Sequence, residues 1–371
     1  MFYPRATVAQ IDLAAFHYNL KQIRKLLKPQ VLLMAVVKAD AYGHGLKRIS
    51  QECEKANVDW LGVSCIYEVM KIREVGVRLP VLNLGPILPQ ETPSVFQYDY
   101  RPTITNFISV KKISKEAIKL KRKIKVHIKV DTGLNRIGFK PNEVLSVVKA
   151  IKKLPQVEIE GIFTHFANAD EIEREATDWQ LNKFLNVIEQ LKKNQIKIPL
   201  IHAANSGATL WFPKSHFNLV RTGTLIYGIS PNPKIISPIK LKPILTLKTF
   251  ITHIKKVPIH TPISYGWTFY TRRESIIASL ATGYGDGFSR SPNWGKVLVK
   301  GKFVSIVGRV CMDQSLIDIT LIEGVKVGDE VILIGKQGKN EINLYEVSEK
   351  LGTIPHEILT SISARVTRVY I

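Results

Sequence analysis

The 371-residue sequence predicts an α/β protein in which an N-terminal (β/α)8 barrel of the TIM type precedes a C-terminal β-rich domain. Three observations predict it. Short β-branched runs alternate with longer amphipathic segments about eight times before residue 240, the count and length of such a barrel. Residues 231–243, with Pro231, Pro233, Pro238 and Pro243, then break the rhythm. Beyond them come short alternating runs split by Gly-Asp and Gly-Lys turns. The expected domains are therefore residues 1–240 for the barrel and 241–371 for the β-rich part.

The barrel strands are expected at Leu32–Val37, Trp60–Ser64, Val81–Leu84, Pro102–Thr105, Lys125–Val130, Glu160–His165, Ile201–Ala204 and Asn218–Arg221. Helices are expected between them, for instance over Asp12–Leu27, Pro141–Leu154 and Thr177–Asn194. In the last, Leu181, Phe184, Leu185, Ile188 and Leu191 fall at the spacing of one helix face, with Thr177 or Asp178 as N-cap. A doubly wound open sheet is the competing topology. It is disfavoured because no GxGxxG follows the first strand, and GYGDG at 283–287 comes late and opens no helix. The second domain's strands are expected at Ile244–Ile254, Ser275–Leu280, Lys296–Val299, Phe303–Val307, Ser315–Thr320 and Glu330–Ile334.

Composition narrows the function classes. A hydrophobic fraction of 45% with 23 Gly and 19 Pro excludes a mainly disordered chain and a collagen. Cys53, Cys65 and Cys311 are widely spaced, so neither a disulfide framework nor a zinc knuckle is written here, as suits a reducing cytoplasm. Met1-Phe2-Tyr3-Pro4-Arg5 lacks the apolar stretch of a signal peptide, and Val31–Val37 is far short of a membrane span. The 53 Lys+Arg against 31 Asp+Glu give a net charge of +22. Such an excess can mark a nucleic acid or an anionic membrane as partner, but no RNP-like, helix-turn-helix or zinc-finger pattern accompanies it. The expectation is a cytoplasmic protein with no nucleic-acid or membrane partner.

In a barrel of this kind the chemistry sits just past the C-terminal ends of the strands. There the sequence places Lys38 in VVKADAYGHG, Arg136 in HIKVDTGLNRIGF, His165 in THFANAD, Ser206 in HAANSGA, and Arg221 followed by Gly223 and Thr224 in VRTGTLIYG. Taken singly, His165 or His202 reads as a satisfied core histidine. A lysine closing an apolar strand is suited to Schiff-base chemistry, because burial lowers its pKa. The turns after the last two strands suit a phosphate group. A strand-end lysine with such a phosphate site points to pyridoxal 5′-phosphate. No HxxxH or 2-His-1-carboxylate spacing suggests a metal.

Together with ISYGW (263–267), GYGDG (283–287) and GRVCMDQ (308–314), these motifs resemble the bacterial alanine racemases, fold-type III pyridoxal-phosphate enzymes, nearly end to end. The resemblance implies a homodimer with shared active sites that interconverts L-alanine and D-alanine and supplies D-alanine for peptidoglycan. By it, Lys38 holds the cofactor and serves as one proton-transfer base. Tyr265, reaching the partner's barrel, is the second base, helped by a His165–Arg221 relay, since a free tyrosine titrates near pH 10. Arg221 would face the pyridine nitrogen and keep the ring a weak electron sink. Arg136 would contact the cofactor's phenolic oxygen and the substrate carboxylate. Tyr42, Ser206, Gly223 and Thr224 would bind phosphate, Met312 the substrate carboxylate, and Tyr284 would line the entrance. Lys129 matches a lysine carbamylated in some members. One position departs from part of the family: ISARVTR (362–368) carries Ala364 where some members have a tyrosine, which implies measurable serine turnover beside alanine. The competing readings are a serine racemase of broader specificity, a non-catalytic pyridoxal-phosphate carrier, which would lack the β-rich domain, and a decarboxylase, which would carry a carboxylate in place of Arg221.

Overall fold

The computed structural model describes residues 4–371. Its first strand, β1 (Val8–Ile11), is one the sequence pattern does not announce. Eight strands follow: β2 (Leu32–Val36), β3 (Trp60–Val63), β4 (Val81–Pro86), β5 (Arg101–Ile104), β6 (Ile124–Lys129), β7 (Val157–Phe163), β8 (Leu200–His202) and β9 (Leu219–Thr222). All pair in parallel, in the order β8-β7-β6-β5-β4-β3-β2-β9. The Arg221 and Asn218 N–H groups donate to the Ala204 and Ile201 carbonyls (3.0 and 3.4 Å), which joins β9 to β8 and closes the ring. An open doubly wound sheet is thereby excluded.

Parallel strands need crossover helices, which bury both faces of the ring. Met34, Trp60, Leu82, Phe163 and Leu219 accordingly form a buried cluster. The helix after β7 spans Glu175–Lys193, and its buried face is Thr177, Gln180, Leu181, Phe184, Val187 and Leu191. Leu185, expected on that face, is exposed, because the 3.6-residue period through Leu181, Phe184 and Leu191 passes over Val187 instead. Neither Thr177 nor Asp178 caps the helix; both lie inside it, and the N-cap is Arg174.

The β-rich unit is a nine-stranded sheet and a small hairpin. Its strands are β10 (Leu245–Val257), β11 (Pro262–Ile263), β12 (Phe269–Tyr270), β13 (Ser275–Leu280), β14 (Lys296–Val299), β15 (Lys302–Ser305), β16 (Ser315–Asp318), β17 (Glu330–Gln337), β18 (Asn340–Ile342) and β19 (Thr367–Tyr370). The long path runs β15-β14-β17-β10-β1-β19, with β13 bridging β10 and β16. β1 lies antiparallel to β10 and parallel to β19. The division at 240/241 had given the opening residues to the barrel. Strand pairing gives them to the β-rich unit, since an inserted strand satisfies backbone groups that β10 and β19 would leave unpaired. One unit thus comprises the segment ending at Ala14, Tyr42–Gly45 and Ile244–Ile371; the other comprises Ala15–Ala41 and Leu46–Pro243. Among the described residues no helix is long and apolar enough to cross a membrane.

Candidate active site

β2 delivers Lys38 just past its end, and the chain then turns the wrong way. Ala39, Asp40, Ala41 and Tyr42 all have φ between +52 and +54°, a left-handed turn of four non-glycine residues. Each costs roughly 1–2 kcal/mol relative to the right-handed form, so neighbouring groups must hold it. The buried Glu68 carboxylate accepts the Ala39 and Ser64 N–H groups (2.5 and 2.7 Å), and Asp40 accepts the Leu46 N–H (2.8 Å). Burial, then the Arg136 charge, lowers the pKa of the Lys38 amine; Glu68 opposes this only in part. A lowered pKa raises the share of free amine at neutral pH, the form that acts as a nucleophile or accepts a proton.

At the end of β6, Lys129 is 4% exposed with its Nζ 4.6 Å from the Phe163 ring centre. Burial, then Arg221 and Arg136, pushes its pKa well below the usual lysine range. Asp131 is close enough to oppose that shift, yet its Oδ1 is turned to the Gly133 and Asn135 N–H groups, each at 3.0 Å. Arg136 itself sits exposed on the loop after β6.

Arg221, on β9, is buried, and among the described residues no carboxylate perturbs its charge. Its Nη1 donates to His202 Nδ1 (2.9 Å), and its Nη2 donates to the Thr164 and Ala203 carbonyls (2.7 and 3.0 Å). His165 Nδ1 lies 3.4 Å from the same Nη2, a long contact for the relay expected between them. Burial brings the guanidinium pKa down to about 9. His165 is held far below its ordinary value by burial and by Lys129, Arg221, Arg136 and Lys38, so it is neutral at pH 7. Gln180 fixes the loop after β7, donating to the His165 carbonyl (3.2 Å) and accepting the Ala167 N–H (2.8 Å).

The loops after β8 and β9 meet where Ser206 Oγ accepts the Gly223 N–H (3.0 Å). The Thr222 and Thr224 hydroxyls are buried here without a hydrogen-bond partner. A buried hydroxyl lacking a partner is costly and fits a site meant for an acceptor such as phosphate. Lysine amine, guanidinium, neutral imidazole and unpartnered hydroxyls at one barrel mouth form a donor set that fits pyridoxal phosphate. Among the described residues no group of three or more His, Cys, Asp and Glu gathers as metal ligands would.

The remaining expected residues lie in the β-rich unit. Tyr42 packs its ring 5.7 Å from that of His356. Tyr265 and Trp267 are each 64% exposed on a loop with positive φ at Ser264, Gly266 and Trp267. A side chain at Gly266 would collide with the Arg309 guanidinium, 2.8 Å from its Cβ. Tyr284 and Met312 come together because the Tyr284 and Gly285 N–H groups donate to the Cys311 and Met312 carbonyls (3.0 and 2.9 Å). GYGDG carries a short 3-10 turn, Tyr284–Asp286, not foreseen from the sequence. Asp286 is buried there and accepts from Arg5 (2.7 Å), Arg365 (2.7 Å) and the Gly283 N–H (3.0 Å), while Arg365 also reaches Asp313 (2.7 Å). Glu68, Asp286 and Arg365 were missed from the sequence; Asp286 and Arg365 had a signal, their places in GYGDG and ISARVTR, and Glu68 had none.

Fold and site define a barrel enzyme whose mouth offers an amine and guanidinium groups to a small anionic ligand, joined to a β-rich unit that displays tyrosines on its loops. The family described as "Alanine racemase, N-terminal domain" matches residues 11–231, and "Alanine racemase, C-terminal domain" matches 244–370. The chain is 44% identical to the alanine racemase of Halothermothrix orenii, covering 99% of this chain and 97% of that one. It superposes on the alanine racemase structure from Clostridium difficile 630 with a TM-score of 0.96, 38% identity and coverage of 99% and 96%. Against the Bacillus anthracis alanine racemase with bound L-Ala-P the TM-score is 0.93 at 40% identity, with coverage of 100% and 96%. The chain belongs to the alanine racemase family, a family of isomerases.

Proposed function

We propose that the chain interconverts L-alanine and D-alanine on bound pyridoxal 5′-phosphate, providing D-alanine for peptidoglycan in the cytoplasm. The observation that carries this reading is the lowered-pKa Lys38 amine in a mouth of cations whose neighbouring carboxylates are taken up by backbone N–H groups. Pyridoxal phosphate, when bound, draws electrons from an attached amino acid and so acidifies its Cα–H. Lys38 anchors the cofactor through Nζ. Tyr42, Ser206, Gly223 and Thr224 hold its phosphate, with the unpartnered Thr224 hydroxyl as the clearest support. Arg221 donates to the pyridine nitrogen and, being a cation, keeps a proton off it. Arg136 meets the phenolic oxygen and the substrate carboxylate.

Inverting a stereocentre requires a proton to leave on one face and arrive on the other, so two bases are needed. Lys38 Nζ serves one face and Tyr265 Oη the other, with His165 and Arg221 behind the tyrosine. Met312 and Tyr284 complete the substrate side. Lys129, whose pKa burial and then Arg221 and Arg136 lower, more readily presents the free amine that carbamylation by carbon dioxide requires. The exposed Tyr265 and Trp267, on a loop constrained by three positive φ angles, support a homodimer in which each subunit's tyrosine serves its partner's barrel.

The test is direct. Purified protein should show a visible absorption band that borohydride removes. Lys38→Ala should lack it and lose racemisation at least a thousandfold, roughly 4 kcal/mol. Tyr265→Ala should keep the cofactor and lose turnover; persistence of racemisation in both directions would end the two-base assignment. Mixing the two dead variants after partial unfolding should restore some activity if the sites are shared. No recovery would remove the shared-site claim.

A further inference from the structure

Behind Arg221 lies a chain of groups that the proton transfers do not use. Arg221 Nη1 meets His202 Nδ1 at 2.9 Å, and His202 Nε2 meets His127 Nδ1 at 3.0 Å. His127 Nε2 faces Glu160 Oε2 at 3.5 Å. Glu160 in turn contacts Arg101 Nε and Lys125 Nζ, each at 3.1 Å. Both histidines are fully buried.

The polarity of this chain follows from its first member. A guanidinium has no acceptor, so Arg221 donates and His202 Nδ1 must be bare. Neutral His202 then carries its proton on Nε2 and donates it to His127 Nδ1, which must also be bare. Neutral His127 carries its proton on Nε2, which makes no hydrogen bond and lies 3.5 Å from Glu160 Oε2. One donor fixes two tautomers, and the last proton lies on the ring's Glu160 side. Burial, then Arg221 and Lys129, lowers the pKa of His202, and burial with Arg101 and Arg221 lowers that of His127 against Glu160, so both rings are neutral at pH 7.

The fold makes room for this arrangement. Glu160 sits at a bulge in β7, where the pairing with β6 skips from Ile159 to Gly161. Gly161 faces His127, and a Cβ there would come within 2.3 Å of His127 Nδ1. Phe163 stacks on His202 at 4.7 Å with 4° between the planes, and Trp60 meets His127 edge-on at 5.4 Å. Neither ring can turn without breaking these contacts.

We propose that His202, His127 and Glu160 are positioning residues for Arg221, a chain of fixed polarity that holds the guanidinium cationic and aimed at the barrel mouth. The inference rests on the reading of Arg221 as part of the working site. Its experiment separates the two. In holoenzyme labelled with 15N in the histidine rings, His202 and His127 are identified by the signals lost in His202→Gln and His127→Gln. Both rings should carry a proton on Nε2 alone at pH 7 and stay so at pH 5. A proton on Nδ1 of either ring, or a doubly protonated ring at pH 7, overturns the proposal whether or not the enzyme racemises alanine.

Kinetics supplies the second arm. His127→Phe cuts the chain while filling its volume, and should lower kcat about tenfold with KM changed less than about threefold. His127→Gln can accept from His202 and donate toward Glu160, and should return kcat to within about threefold of the parent. Equal losses in both variants, or no loss in His127→Phe, would reduce the chain to packing.

Discussion

The two ends of the barrel interior treat charge in opposite ways. Toward the base, Glu160 is ringed by Arg101, Lys125 and His127. Burial alone would raise its pKa, but these partners outweigh that and bring it down to about 2. At the mouth, Lys38, Lys129, Arg136 and Arg221 depress one another or His165. The carboxylates within reach, Glu68 and Asp131, spend their oxygens on backbone N–H groups. Charge is balanced where it supports the frame and left unbalanced where an anionic ligand is to complete it.

The sharpest way to break this contrast is at its unbalanced end. Arg221→Lys keeps a charge but loses the planar fork, so His202 Nδ1 and the Thr164 and Ala203 carbonyls cannot all be served. Racemisation should fall about a hundredfold, roughly 3 kcal/mol, measured as kcat/KM for L-alanine. A loss below threefold would mean that charge alone suffices there.

At the balanced end the effect should appear in stability and in its pH dependence. A carboxylate with a depressed pKa stabilises the fold above its unfolded value, near 4.5, and loses that contribution as pH falls toward its folded value of about 2. Unfolding followed by urea should show the parent losing on the order of 3 kcal/mol from this group between those limits. Glu160→Gln, already without it, should lack that slope; parallel curves would show the partners to be screened. Smallest is Lys125→Met. Lys125 is partly exposed, so its removal should shift stability by less than about 1 kcal/mol and leave kcat within about twofold. A larger shift would make the base more tightly coupled than its geometry implies.

Much of the frame was legible because a parallel barrel repeats one pattern: each apolar run marked a strand, to within a few residues at its ends. β1 and β19 were not, since they lie outside the barrel's repeat and pair with strands more than 200 residues away. The mouth was legible through residue types out of place at strand ends, Lys38 and Arg221 above all. His127 and Glu160 were not, because HIKV and VEIE read as ordinary alternation. Only the bulge, which no local rule in the sequence announces, turns Glu160 toward His127. Tyr265, Tyr284 and Met312 were singled out through family resemblance alone; their loops have no pattern that composition could reveal.

The left-handed turn after Lys38 also reverses the usual rules of substitution. In most of a protein, glycine is the disruptive replacement and a β-branched residue the mild one. At Ala39 and Ala41 the order is inverted, since φ near +50° is open to glycine and closed to valine or isoleucine. The segment is therefore a place where chemically conservative changes fail and an apparently radical one is accommodated. A mutational survey of this chain would find, next to Lys38, a short stretch ranked by backbone shape rather than by side-chain chemistry.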